Sequence, residues 1–303
     1  MRDLRHEQAS AYPDLAEWLD FLDIEGKADR TLYSYSREVA LLLREYPRTP
    51  FADFTSEQIN AALRFKPQRS RYITRSVWNS WFEWGLGQDK LDRSPMRKVA
   101  KPPQPKQRPS NIYNDAEVAA LQALPSPDGA LCTLMFASGL RKSECRNLRR
   151  SDIDLGRKRL TVVMGKGGKD RIVPLPDEAV LAIADLDLME RLNPTDYLWH
   201  LQPGGRGVVT RDKPVSDTTF DRWWSGDGGR EGRRGRLGVC AKAGVRRLNI
   251  HQTRHTYGHR LRERGVSLEL RKVLMGHENI KTTDHYYGTV TVEDAAAALA
   301  EVW

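Results

Sequence analysis

The stretch from Pro95 to Ser110, PMRKVAKPPQPKQRPS, constrains the fold more than any other feature. Its prolines lack a backbone donor and fix φ, so it can extend neither a helix nor a central strand. It has no acidic residue and no helical period. Such a segment reads as an extended, basic linker. In a chain of 303 residues it separates two parts that are each long enough to bury a core. The reading is a domain at 1–98, a linker at 99–110 and a second domain at 111–303.

Charge narrows the partners. The formal net charge is +9, with 39% hydrophobic residues. The excess favours a polyanion, either nucleic acid or an acidic membrane surface. No apolar run approaches the roughly 20 residues that span a bilayer. The polar start, MRDLRHEQAS, lacks the apolar stretch of a secretory signal. A cytoplasmic protein with no membrane partner is expected. Cys132, Cys145 and Cys240 are widely separated, which fits neither a disulfide framework nor a CxxC metal pattern.

The first domain reads as helices. Leu15, Trp18, Leu19 and Leu22 fall on one face, with Gly26 as a stop. Thr31 is placed to cap a second helix bearing Leu32, Tyr35, Val39, Leu42 and Tyr46. Thr55 with Gln58 forms a capping-box pattern for a third. A fourth carries Ile73, Val77, Trp78, Trp81 and Trp84. Arg69, Arg71 and Arg75 lie around its start. They suit either a solvated face or phosphate contact.

The second domain mixes helix with a little sheet. Asn114 and Glu117 cap a helix, and LCTLMFA supplies a buried one ending at Gly139. RLTVVM and RIVPLP read as two short strands flanking GKGGKD, a β-hairpin. Three helical segments are expected from residue 251 to the end. The fold class is therefore mainly α with a small β-sheet.

Four local patterns carry chemistry. In ASGLRKSECRNL, residues 137–148, Arg141 sits in a tight connection and Ser143 is placed to cap the next helix. In MGKGGKDRIVPL, residues 164–175, Lys166 lies at the hairpin tip. In HQTRHTYGHRLRERG, residues 251–265, His251 and Arg254 share a helix face, and the helix stops at Gly265. In MGHENIKTTDHYYG, residues 275–288, Gly276 ends a helix begun near Ser267, His277 follows, and Tyr286 lies nine residues beyond. His251, His255 and His259 also recur every four residues. However, Gln252 stands where HExxH has its glutamate, and Arg254 and Arg260 oppose a dication. No metal site is expected.

Taken together, the four patterns resemble the catalytic domain of tyrosine recombinases, the phage-integrase and Xer group, across essentially the whole second domain. The first domain resembles that family's core-binding domain less specifically. Residue by residue, Arg141 matches the arginine of A-T-G-L-R-x-S-E, with Ser138 in place of Thr, and Glu144 matches the acidic residue beside it in a supporting role. Lys166 matches the hairpin lysine, and His251 and Arg254 match H-x-x-R. His277 matches the histidine of L-G-H, with Met275 in place of Leu. Tyr286 matches the nucleophile of T-T-x-x-Y, with Thr282 and Thr283 standing ahead of it.

The resemblance implies a site-specific recombinase that cuts and rejoins DNA. Tyr286 attacks the scissile phosphorus and displaces a 5′-oxygen, leaving a 3′-phosphotyrosine. Arg141 and Arg254 offer planar forks of donors to the charged transition state, and His277 adds a donor. Lys166 is the general acid for the leaving oxygen. His251 is either a base or a positioner of the phosphate. No cofactor is called for. Family members assemble as tetramers on two double-stranded DNA sites, in some cases with accessory proteins, and their two domains grip opposite faces of the duplex.

For DNA contact the candidates are Arg69, Arg71, Arg75, the linker residues Lys101 and Lys106, and Arg233, Arg234 and Arg236 in the Gly/Arg-rich segment. Two rival readings are a type IB topoisomerase and a non-enzymatic DNA-binding accessory protein. Finally, TVTVEDAAAALAEVW, residues 289–303, has the makings of a short helix that must dock, either on its own domain or on a neighbouring protomer.

Overall fold

The apolar face at Leu15, Trp18, Leu19 and Leu22 lies on α1 (Pro13–Ile24), with all four side chains buried. Gly26, at φ 79°, turns the chain out of it. The computed structural model describes residues 12–104, 111–163, 170–186, 192–199, 211–226 and 237–276. The chain divides into two units, 1–108 and 109–303.

In the first unit α1 is followed by α2 (Asp29–Glu45), α3 (Ser56–Phe65) and α4 (Gln68–Gly87). The capping box at Thr55 is formed in both directions, with Gln58 closing it. The α2 start differs from expectation. Its N-cap is Ala28, and Thr31 lies inside the first turn. The α4 stripe also differs, because Ile73 is 61% exposed whereas Thr74 is buried. Trp18, Trp78 and Trp81 have no exposed surface and fill one core with Phe82, Leu32 and Val39. Met96, on a 3-10 turn at Pro95–Lys98, and Val99 pack into that core too. The basic stretch is thus held on this unit as far as Ala100, two residues into the segment read as linker.

The second unit opens with α5 (Asp115–Gln122), whose Asn114–Glu117 capping box is complete. Next comes α6 (Asp128–Ser138), buried along its whole length. Its one charged residue, Asp128, accepts from Trp223 Nε1 at 2.5 Å and pairs with Lys242. A short α7 (Lys142–Arg146) leads into a three-stranded antiparallel sheet of β1 (Ile153–Asp154), β2 (Arg159–Val162) and β3 (Arg171–Pro174). The hairpin of β2 and β3 is in register at Leu160↔Val173 and Val162↔Arg171. The two-residue β1 is too short to leave a pattern in the sequence.

Among the described residues, four helices follow α8 (Asp177–Ala184): α9 (Asp217–Ser225), α10 (Val239–Lys242), α11 (His251–Glu263) and α12 (Leu268–Met275). Gly265 (φ 80°) and Gly276 (φ 61°) end the last two in the left-handed conformation that glycine adopts without strain. The fold is mainly helical with a small sheet. No helix among the described residues is long and apolar enough to cross a membrane. Lys106, Lys166, Arg233, Arg234, Arg236, His277, Tyr286 and the tail helix expected at 291–303 lie outside the described residues.

Candidate active site

Two chain reversals bring the arginines together. The first is Gly139, which ends α6 at φ 59°. A Cβ there would stand 2.3 Å from the ring of Tyr257 on α11, so both conformation and space require glycine. The turn sets Arg141 immediately before α7. Arg141, not Ser143, is the N-cap, and its N–H donates to Glu144 Oε2 at 2.8 Å. This is the carboxylate half of a capping box.

Glu144 is the hub. Its side chain is only 6% exposed. Its Oε1 also accepts from Arg141 Nη1 at 2.6 Å, and both its oxygens accept from the fork of Arg171, at 2.9 and 2.8 Å. Burial alone would raise its pKa. Hydrogen bonds from Arg171 and from the Arg141 amide, with the charge of Arg171, override that and bring it down to about 2. Glu144 is therefore an anion at neutral pH.

The second reversal is Gly276, at the end of α12. The last carbonyls of a helix have no partner within it and carry the negative end of its dipole. Here they receive the two arginines. Gly276 O accepts from Arg141 Nη2 at 2.9 Å. Met275 O accepts from Arg254 Nη2, whose Nη1 donates to Gly139 O at 2.7 Å. Arg254 thus spans the ends of α6 and α12. It is 4% exposed. Burial, then repulsion from Arg141, lowers its pKa to about 10, with Glu144 pulling the other way. It still carries its charge at neutral pH. The Arg141 side chain is 24% exposed and is the more open of the pair.

His251 is the first residue of α11, and its N–H donates to Asn249 Oδ1 at 2.9 Å. Its ring meets that of His255 edge-on, with centroids 5.1 Å apart. Partial burial, then the charges of His255, Arg254 and Arg141, lower its pKa, favouring the neutral imidazole. His259 Nδ1 lies 3.2 Å from Glu263.

Arg141, Glu144 and Arg254 are thus drawn into one network, with His251 close enough to feel both arginine charges. Sequence reading missed Arg171. The signal for it was periodicity. In RIVPLP, Arg171 is two residues from the fully buried Val173 and so shares its face of β3. A charged residue on the inward face of a strand needs a buried partner.

The nucleic-acid candidates of the first unit fall into two kinds. Arg71 donates to Lys66 O and Arg64 O, at 2.9 and 2.8 Å, closing the end of α3. Arg75 donates to Ala100 O at 3.0 Å and to Met96 O at 3.4 Å, holding the chain that leaves the unit. Arg69 and Lys101 are exposed.

Comparison with known proteins decides the family. The model of the phage integrase family matches residues 109–292, more than half of the chain. The chain belongs to the phage integrase family. The tyrosine recombinase XerA of Pyrococcus furiosus is 27% identical over 278 residues, covering 90% of this chain and 88% of its own length. A tyrosine recombinase of Thermosipho africanus is 31% identical over 228 residues, covering 72% of this chain and 70% of its own. Lambda integrase, as a tetramer bound to a Holliday junction, shares the fold with a TM-score of 0.65 at 18% identity, over 93% of this chain and 80% of that one. This family member is a site-specific tyrosine recombinase that cleaves and rejoins DNA, and its partner is DNA.

Proposed function

We propose that Arg141, Lys166, His251, Arg254, His277 and Tyr286 make up the active site of this recombinase. Tyr286 is the nucleophile. Arg141 and Arg254 bind the non-bridging oxygens of the scissile phosphate, and His277 adds a donor. Lys166 protonates the departing 5′-oxygen. One observation carries this reading furthest. Both arginines are tied to the carbonyls of residues 275 and 276, and His277 is the next residue of the chain. The anchoring leaves each guanidinium further N–H groups for phosphate, since a guanidinium has five. Preorganised donors of this kind stabilise developing charge without reorganising. A neutral His251 suits either a base for the tyrosine proton or, through its ring N–H, a donor that orients the phosphate.

The general acid is tested with sulfur. A duplex enriched from a randomised pool by covalent capture on the native chain, then nicked beside the cleaved bond, serves as substrate. Lys166→Ala should cleave the ordinary oxygen ester about 10²- to 10⁴-fold more slowly. A 5′-bridging phosphorothiolate, whose thiolate leaves without a proton, should restore most of that rate. Absence of rescue would move the role to Lys169 in the same turn.

The reading extends to assembly and place. The recombinase acts as a tetramer on two DNA sites, in the cytoplasm, with accessory proteins where direction must be set. Exposed Arg69 and Lys101 contact phosphates, together with Lys106, Arg233, Arg234 and Arg236. Arg71 and Arg75 support the surface by closing the chain ends described above. Removing residues 291–303 is expected to spare binding to one half-site while weakening cooperative binding to a full site. Gel-shift titration on half and full sites reads both. Undiminished cooperativity would place the tail on its own domain.

A further inference from the structure

We propose that Arg171 is a positioning residue, which ties the base of the β2–β3 hairpin to Glu144 and through it fixes the guanidinium of Arg141. The inference rests on the reading of Arg141 as a phosphate-binding group.

Three observations carry it. The first is the form of the contact. Arg171 grips both oxygens of Glu144, at 2.9 and 2.8 Å, with 13% and 6% of the two side chains exposed. A bidentate fork fixes direction as well as distance. The second is what lies behind it. A Cβ on Gly276 would fall 2.7 Å from Arg171 Cδ and 2.9 Å from Nε. Arg171 is thus wedged between Glu144 and the residue whose carbonyl holds Arg141. The third is its place in the chain. Arg171 pairs with Val162 in the last described rung of the hairpin, and Lys166 precedes it by five residues in the sequence. One side chain thus joins the described end of the hairpin to the carboxylate that holds Arg141.

Stability alone gives no reason for the arrangement. Two cations share one buried anion, and burying charge costs enough that an apolar trio is often as stable. What an apolar trio cannot supply is orientation. Glu144 accepts from both the amide and the guanidinium of Arg141, and it does so only as a carboxylate held in one plane. Arg171 supplies the plane and the charge. Without Arg171 a buried carboxyl loses its strongest counter-charge and its pKa rises. A protonated Glu144 then releases part of Arg141. The loss of activity would grow as pH falls through the raised pKa of Glu144, in addition to any loss that protonation of His251 gives the native chain.

The test uses the captured, nicked duplex under single-turnover conditions across pH, with DNA affinity and melting temperature measured beside it. Arg171→Met should cleave on the order of 10²-fold more slowly at neutral pH, with affinity unchanged. It should also gain an acid limb beyond any that protonation of His251 gives the native chain. Arg171→Lys keeps the charge but not the fork, so its profile should match the native one while its rate lies between the two. Adding Glu144→Gln to Arg171→Met removes the titrating carboxyl and should remove the limb. A native rate in Arg171→Met, or a slow rate with a native pH profile in both variants, would overturn the proposal. If the native chain itself forms no adduct, the reading of the site fails before the role of Arg171 is reached.

Discussion

Arg254→Ala is expected to slow strand cleavage by about 10³-fold while leaving the affinity for DNA nearly intact. The rate effect follows from position. Arg254 is almost sealed from solvent and spans the carbonyls of Gly139 and Met275, so no neighbouring cation can swing in to replace it. Removing one preorganised donor from a developing oxyanion costs about 10²- to 10³-fold, and here the donor also carries a full charge. Affinity is spread over many phosphate contacts and loses only one. Stability should fall modestly, because two opposing effects partly cancel. Two buried acceptors lose their donor, at about 1–3 kcal/mol each. Against that, a buried cation repelled by Arg141 disappears. Arg254→Lys retains charge but cannot bridge two carbonyls with one point donor, so it should recover only part of the rate. Single-turnover cleavage and thermal melting of the three proteins check this. A melting temperature lowered enough to unfold Arg254→Ala at the assay temperature would assign the arginine to the fold instead.

Local rules made much of the molecule legible. The Thr55–Gln58 and Asn114–Glu117 boxes are hydrogen bonds within one helical turn, so the residues that make them are adjacent in the sequence. Gly139 and Gly276 announce helix ends because left-handed backbone strains other residues. Strand β2 alternates as a strand on a half-buried face does. Arg141 and Arg254 were legible through the order and spacing of short motifs, although neither arginine alone says anything.

What the sequence hid depends on distant partners. Ile73 fits the apolar period of α4, yet it falls where nothing packs on it, and Thr74 takes the buried place. Thr31 is a good capping residue, but the chain enters the helix three residues earlier, at Ala28. Arg71 and Arg75 look like a basic face, whereas their donors close carbonyls up to 25 residues away in the chain. Arg171 escaped for the same reason: the carboxylate it grips is 27 residues upstream. Periodicity reports which face is covered, not what covers it.

The central claim is that one hydroxyl, that of Tyr286, becomes covalently bound to DNA. Attack on phosphorus needs one nucleophile, and a phosphotyrosine conserves the energy of the cut bond for rejoining. The adjacent Tyr287 has the same intrinsic chemistry but does not fit the T-T-x-x-Y spacing that starts at Thr282. Tyr286→Phe removes one oxygen and leaves the ring, so it should bind the captured duplex with native affinity and form no adduct, whereas Tyr287→Phe should still form one. The direct measurement is proteolysis of the trapped native complex followed by mass spectrometry of the nucleotide-bearing peptide. The account predicts a 3′-phosphonucleotide on Tyr286 and none in the Tyr286→Phe protein. A nucleotide carried by Tyr287, or an adduct of normal yield from Tyr286→Phe, would contradict it.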